Sequence, residues 1–440
     1  MSDSRISRRH WLQGAAGMAG AMALPALLHS RASFAAPAAG DARLVLVLLR
    51  GALDGLAAAP PVGDPDHARL RGELALPQTK VLLRLDDLFA LHPSLSFMAT
   101  QWQQRQFTLL HAVATAYRER SHFDGQDVLE NGHARPHASD SGWLNRALAG
   151  LPASRGGPQP IQRGVALGAA VPLVMRGPQQ VASWSPSVLP GIDPDTLQRL
   201  TDLYAGDALL SRRLAEADTA RQMADGDAMG AAGRRNGAQF GQVAKMAAGF
   251  LRREAGPRVA VLESSGWDTH AGQGGEQGAL AARLAVLDAG LATLQAQMGE
   301  AWASTAVLVV TEFGRTVAVN GTRGTDHGTG AAAMLLGGAV NGGRVIADWP
   351  GLSPRALHEG RDLAPTLDLR AVFTALLTDH LGIARGFVEQ QVFPDAPRLA
   401  RLDGLVRDPS SRISAPVAAA GQPHAASCVD PVNRNNWRSA

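Results

Sequence analysis

Four short runs of uninterrupted apolar residues set what this chain can fold into. They are Arg43–Leu49 (Arg-Leu-Val-Leu-Val-Leu-Leu), Phe107–Val113, Arg258–Leu262 and Thr305–Thr311. A strand with one wet face alternates apolar and polar residues. A run without alternation belongs to a strand buried on both faces, as in the middle of a largely parallel sheet. Between the last two runs, Leu280, Leu284, Leu287, Leu291, Leu294 and Met298 recur at spacings of four and three. That period marks a one-faced helix, and a helix between two buried strands is the usual parallel crossover. The expected fold is therefore α/β: a doubly wound, mostly parallel sheet with flanking helices. Gln126–Asn131 reads as a helix stopped by Gly132, Ala331–Leu336 as a further strand, and Asp368–Leu381 as a helix after Pro365. The span from about 193 to 253 reads as a helical insertion with a Gly/Asp/Arg-rich break, and 396–440 as a polar tail rich in Pro, Ser and Asn.

The first 35 residues stand apart from this pattern. Ser7-Arg8-Arg9-His10-Trp11-Leu12 precedes a mild Gly/Ala-rich apolar stretch to Leu28 and then Ser33-Phe34-Ala35, a small-x-Ala cleavage pattern. This is the layout of an export signal, and the paired arginines predict the twin-arginine translocation machinery as its partner. Pro25 and the scarcity of large aliphatics speak against a stable membrane span. The expected product is a periplasmic or secreted protein, with a main domain over 43–395.

The signal also explains the apparent basicity. The chain has 42 Lys+Arg and 39 Asp+Glu; four of those arginines and one of those acids lie in residues 1–35, which leaves 38 of each sign. A neutral mature chain gives no electrostatic case for nucleic acid or an anionic membrane. The single cysteine, Cys428, excludes an internal disulfide. With only two lysines, Lys80 and Lys245, the chain has no phosphate-binding G-x-x-x-x-G-K-[ST] loop. G-x-S-x-G, H-E-x-x-H and C-x-x-C are absent too, which speaks against α/β-hydrolases, zincins and thiol redox proteins.

Chemistry-bearing residues cluster just past the apolar runs. Asp54 follows the first; Ser121 and His122 follow the second, with Arg118 and Arg120 nearby; Asp268-Thr269-His270 follows the third; Glu312 and Arg315 follow the fourth. In open α/β sheets ligands collect outside the carboxyl ends of the strands, so residues distant in sequence are expected to meet on one rim. Asp268 and His270, at i and i+2, point to one side if extended, and one cation could take both. Asp326 and His327 lie between Gly324 and Gly328, where a tight turn would let adjacent side chains converge. Glu312 and Arg315 read either as a structural ion pair or as a metal ligand with an arginine clamp for an oxyanion. Ser121 reads either as the cap of a helix or as a hydroxyl placed at a helix N-terminus to attack an anionic ester.

Taken together, Arg50-Gly-Ala-Leu-Asp54-Gly55-Leu56, Arg120-Ser-His-Phe-Asp124, Trp267-Asp-Thr-His270, Thr311-Glu-Phe-Gly-Arg-Thr316, Gly324-Thr-Asp-His-Gly328 and Gly343-Arg-Val-Ile-Ala-Asp-Trp-Pro-Gly351 resemble the domain of unknown function 1501 family. The likeness spans roughly residues 43–395. That family is grouped with the alkaline phosphatase and sulfatase clan, and Asp362-Leu-Ala-Pro-Thr366 resembles the helix-opening segment common in sulfatases. The resemblance implies a doubly wound sheet and one or two divalent cations (Zn, Mn, Ca or Mg) around a Ser/Thr nucleophile. By order along the chain it implies Asp54 as the first-strand metal ligand, Ser121 as nucleophile, and Asp268 with His270 on one metal. Either Asp326-His327 is the pair for a second metal, or Glu312 takes that place and His327 joins the first. The expected activity is metal-dependent hydrolysis of a phosphate or sulfate ester, on a small-molecule or glycan substrate. A non-catalytic periplasmic binding or assembly protein that keeps the fold is the alternative.

Overall fold

The structure, a computed structural model, describes residues 41–76, 82–153, 162–168, 170–185, most of 200–215 and 236–408. The expected export signal, about half of the expected helical insertion, Cys428 and the tail past 408 lie outside the described residues.

In chain order the strands are β1 (Arg43–Arg50), β2 (Leu83–Arg84), β3 (Ala90–Leu91), β4 (Phe107–Ala114), β5 (Gly164–Leu167), β6 (Val181–Trp184), β7 (Val259–Ser265), β8 (Thr305–Thr311), β9 (Ala331–Leu336), β10 (Arg344–Ile346) and β11 (Leu367–Asp368). Nine of them form one sheet in the order β10-β4-β9-β8-β1-β7-β5-β6, with β11 pairing in parallel with the C-terminal end of β4; β2 and β3 make a separate antiparallel pair. Within the large sheet the two pairings of β9 are antiparallel and all the others parallel.

The apolar runs occupy its centre for the reason expected: both faces are covered. Along β1, Leu44, Leu46 and Leu48 enter one core, while Val45, Val47 and Leu49 enter the other. Among the described residues the helices include α1 (Gly55–Ala58), α2 (His67–Arg71), α3 (Ser96–Gln103), α4 (His122–Asn131), α5 (Trp143–Ala149), α6 (Asn236–Leu251), α7 (Ala279–Met298), α8 (Leu369–Ala375) and α9 (Arg385–Phe387). Residues of α4, α5 and α8 fill the first core; those of α3, α6 and α7 fill the second. The leucine stripe of α7 is buried throughout, and the helix joins β7 to β8 across β1. α7 and the turn after it are long and apolar enough to cross a membrane by length and composition, yet the stripe faces the sheet.

Two segments sit differently from their sequence reading. α6, the last part of the span read as an insertion, packs into the second core through Phe240, Val243, Ala247 and Leu251. The chain past 395 is not wholly peripheral either: Leu405 and Val406 are buried, and Val406 bridges Val340.

Register places the site. Leu49 pairs with Thr311 and Arg50 with Ser265, so β1, β7 and β8 end at one level. Because β9 runs the other way, it starts at that rim. The segment 324–330 leading into it therefore delivers its residues where the other strands deposit theirs.

Candidate metal centre

The rim over β1, β7 and β8 gathers His122, Asp268 and His327, whose ligand atoms all lie within 4.8 Å of one another. Asp268 Oδ2 lies 3.4 Å from His122 Nε2, and Oδ1 lies 3.3 Å from His327 Nε2 and 3.0 Å from His270 Nε2. The Nε2 atoms of His270 and His327 are themselves 3.0 Å apart.

Each imidazole is held by its other nitrogen. His122 Nδ1 is 2.9 Å from Glu312 Oε1, His327 Nδ1 is 2.8 Å from the carbonyl of Arg120, and His270 Nδ1 is 3.1 Å from Asp326 Oδ1. Carboxylates and carbonyls only accept, so each Nδ1 carries the hydrogen and each neutral ring turns an Nε2 lone pair inward. Facing lone pairs at 3.0 Å repel unless a proton or a cation stands between them. Two nitrogens bound at about 2.1 Å to one cation stand roughly 3–3.5 Å apart, so the spacing fits a shared ion. His122 Nε2 is buried and has no hydrogen-bond partner, the state of a ligand atom aimed at a cation. A histidine held from behind by a carboxylate is the usual way proteins fix a metal ligand's tautomer.

Local structure explains each placement. Trp267 is fully buried, and its backbone N–H reaches the carbonyl of Arg50, which ties the 266–268 turn to the end of β1. Gly51, at φ 115°, permits that contact, since a Cβ there would come within 2.8 Å of the Asp268 nitrogen. Asp268 and His270 do share one side, as the i, i+2 spacing predicts. Asp326 and His327 do not converge. The segment 314–316 pairs with 326–329 in an antiparallel ladder, with Thr316 N–H to Asp326 O at 2.9 Å and Gly328 N–H to Gly314 O at 2.8 Å. Neighbours on an extended chain face opposite ways. His327 enters the cluster, and Asp326 reaches His270 from outside. Gly324 and Gly328 thus serve backbone packing, against His270 and Arg315, and not approach to a ligand.

Three expected site residues have other duties. Glu312 is buried, and its oxygens take four donors: Gly51 N–H at 2.8 Å, His122 Nδ1 at 2.9 Å and Gln126 Nε2 at 3.1 Å on Oε1, and Thr311 Oγ1 at 2.8 Å on Oε2. Through Oε1 it holds the His122 ring by its Nδ1. Asp54 caps α1, pairs with the buried guanidinium of Arg71 and accepts from Gln273 Nε2 at 2.7 Å, so it is neutralised in the interior. Arg315 donates to Asp268 and to the carbonyl and hydroxyl of Thr325, which leaves no free fork for an oxyanion. Gln273 and Thr325 connect these two arginines through a short polar chain.

Ser121 precedes His122 at the N-cap of α4, and its side chain makes no capping bond; its N–H reaches Tyr117 Oη at 3.2 Å. His122 was not among the residues singled out from the sequence as ligands. It held the same post-strand position as the others, directly beside Ser121, and that was the available signal.

The charges around the cluster are set by these contacts. Burial raises the Asp268 carboxyl, but the Arg315 hydrogen bond and charge, with His270 and His122 beside it, hold it below the usual range. Glu312 is likewise below it, because His122, Gln126 and Gly51 outweigh its burial. The hydrogen bond to Glu312 raises His122 above the ordinary histidine value despite burial, whereas burial is the main reason His327 falls below it.

A family model described as "Protein of unknown function (DUF1501)" matches residues 41–393. Among solved structures, the chain is similar to Ps i-CgsB in complex with k-i-k-neocarrahexaose, at 9% identity and a TM-score of 0.39, over 78% of this chain and 72% of that one. No curated protein matches.

Proposed function

The chain belongs to the DUF1501 family, of unknown function, and from that premise we propose that it is a metal-dependent hydrolase of phosphate or sulfate esters with an alkaline phosphatase-like arrangement of its rim. The observation that carries the metal is the convergence of Nε2 atoms on Asp268, with every Nδ1 held from behind. A donor set of imidazoles with one carboxylate suits zinc or a similar transition metal better than the all-oxygen shells of calcium and magnesium. Such a cation supplies Lewis acidity toward an ester oxygen and lowers the pKa of bound water.

The chain's own residues do the rest. His122, Asp268 and His327 hold the ion, and His270 stands at its exposed side. Arg315 keeps Asp268 ionised and in place. The Ser121 hydroxyl, uncommitted to capping, lies at the first turn of α4, where helix N–H groups favour an anion. The ester class rests on that placement together with the clan resemblance.

A second reading, a non-catalytic metal-holding protein, draws on one observation: the arginine expected to meet an oxyanion is fully engaged. One experiment separates them. Purified protein should hold about one equivalent of metal and turn over some aryl phosphate or sulfate in a broad panel. Asp268→Ala and His122→Ala should lose the metal and at least about a hundredfold of the rate. Bound metal with no turnover across the panel would favour the second reading, and no bound metal would sink both.

A further inference from the structure

His327 is held at both ends by arginines, and both arginines answer to one buried carboxylate. Its ring Nδ1 donates to the carbonyl of Arg120, and its own carbonyl accepts from Arg361 Nη2. Arg120 Nε donates to Asp362 Oδ2 at 2.8 Å, and Arg361 Nε donates to Asp362 Oδ1 at 3.0 Å. Asp362 has no exposed surface. One oxygen faces each arginine, so the carboxylate spans the two supports of one imidazole.

Arg120 needs such a hold. Its φ is 64°, the left-handed region that a residue with a side chain seldom adopts. That turn sets the direction of the carbonyl that His327 meets. Without a tether on the side chain, the peptide has no reason to keep the strained setting. The outer partner of Arg120, Glu359, is exposed and screened by solvent, so Asp362 is the firmer one. The Asp362 backbone is fixed separately, by bridges to Thr316 and to His358. Its side chain can therefore be changed without freeing the loop.

We infer that Asp362 is a positioning residue for the metal ligand His327, acting through Arg120 and Arg361; the inference rests on the metal reading above. It touches no reacting atom. Its effect is to keep the Nε2 lone pair of His327 directed at Asp268 and His122.

The test compares Asp362→Asn with the unchanged protein and with Asp288→Asn. Asp288 is a second buried carboxylate, on α7, that holds the Phe97 and Met98 N–H groups at the start of α3, in a different core. Zinc affinity is measured by competition with a chromogenic chelator, cobalt geometry by the absorption of the Co2+ form, and stability by urea unfolding of the chelated proteins. Asp362→Asn should weaken zinc binding about 10–100-fold and shift the Co2+ bands. Asp288→Asn should lower the urea midpoint yet keep zinc affinity within about twofold. Should Asp362→Asn fold poorly, Arg361→Gln removes one arm at a half-exposed position and should show the same signature in smaller measure. Unchanged zinc affinity and Co2+ bands in the Asp362 or Arg361 variant overturn the inference, as does an equal loss in Asp288→Asn. A wild-type protein that binds no metal overturns this inference and the proposed function together, and is thereby distinguished from failure of the positioning role alone.

Discussion

Glu312 shows how a residue's type and its task can part. A carboxylate at the end of a buried strand reads naturally as a ligand, and the sequence holds no sign that four donors converge on it. Only the neighbours of β8 reveal that: Gly51, just past β1, and Gln126 from α4 are far away in sequence. Asp268 with His270 was legible because the pairing depends on nothing beyond extended backbone. His122 was harder to see, since its role depends on how α4 meets Phe313, on which its ring stacks at 5.1 Å. Glu312→Gln puts the two accounts in opposition. If Glu312 orients His122, the amide keeps the shape but loses the charge behind the ring, and metal affinity should fall about 10–100-fold with the ion still bindable. Were Glu312 itself a ligand, the loss would match that of Asp268→Ala. Titration of metal binding gives the same answer in another form. Protons compete for the imidazoles, so affinity should drop as pH falls through the raised His122 value, above the ordinary 6.5; in Glu312→Gln that step should move to lower pH.

At the level of elements, the buried strands and the leucine-striped α7 were readable because period and burial are local properties of the chain. The direction of β9 was not. Its residues, Ala331–Leu336, are buried on both faces like those of the parallel strands in the same sheet, and an apolar run carries no arrow. Yet that reversal puts the 324–330 segment on the rim, and so the site depends on it. The same limit applies to the glycines: sequence shows them, not what lies against them. Gly51 joins β1 to the turn carrying Asp268, and both its φ of 115° and the 2.8 Å approach to the Asp268 nitrogen exclude a side chain. Gly51→Ala should cost roughly 2–5 kcal/mol, from a strained φ together with overpacking. Urea unfolding measures it. Because the displaced backbone is that of Asp268, metal affinity should decline in the same variant; a stability loss with unchanged affinity would mean that the turn adjusts independently of the ligand.

Across the whole molecule, equal numbers of acids and bases past residue 35 leave pH dependence to individual buried groups instead of net charge. Two of these, His67 and His111, sit near the Asp54–Arg71 pair and remain neutral. Burial lowers each to about 4, aided for His67 by the charge of Arg71. His111 accepts from Ala112 N–H through Nδ1 at 2.9 Å, so protonating it would set two N–H groups against each other. The unfolded chain titrates these rings near 6.5. Their stabilisation is therefore complete above pH 6.5 and is lost as pH falls from 6.5 toward 4, where the unfolded state binds more protons. Each ring should remove about 1.4 kcal/mol per pH unit in that window, so together nearly 3 kcal/mol per unit. His122, with its raised value, works in the opposite sense and above the window: its contribution is complete by pH 6.5 and fades as pH rises. Unfolding free energies of the chelated protein at pH 7, 6, 5 and 4 should thus fall steeply below 6.5, and His67→Gln should make the slope shallower by about 1.4 kcal/mol per unit. A flat profile between 6.5 and 4 would mean that these histidines reach solvent, and that the interior around Asp54 is wetter than its burial implies.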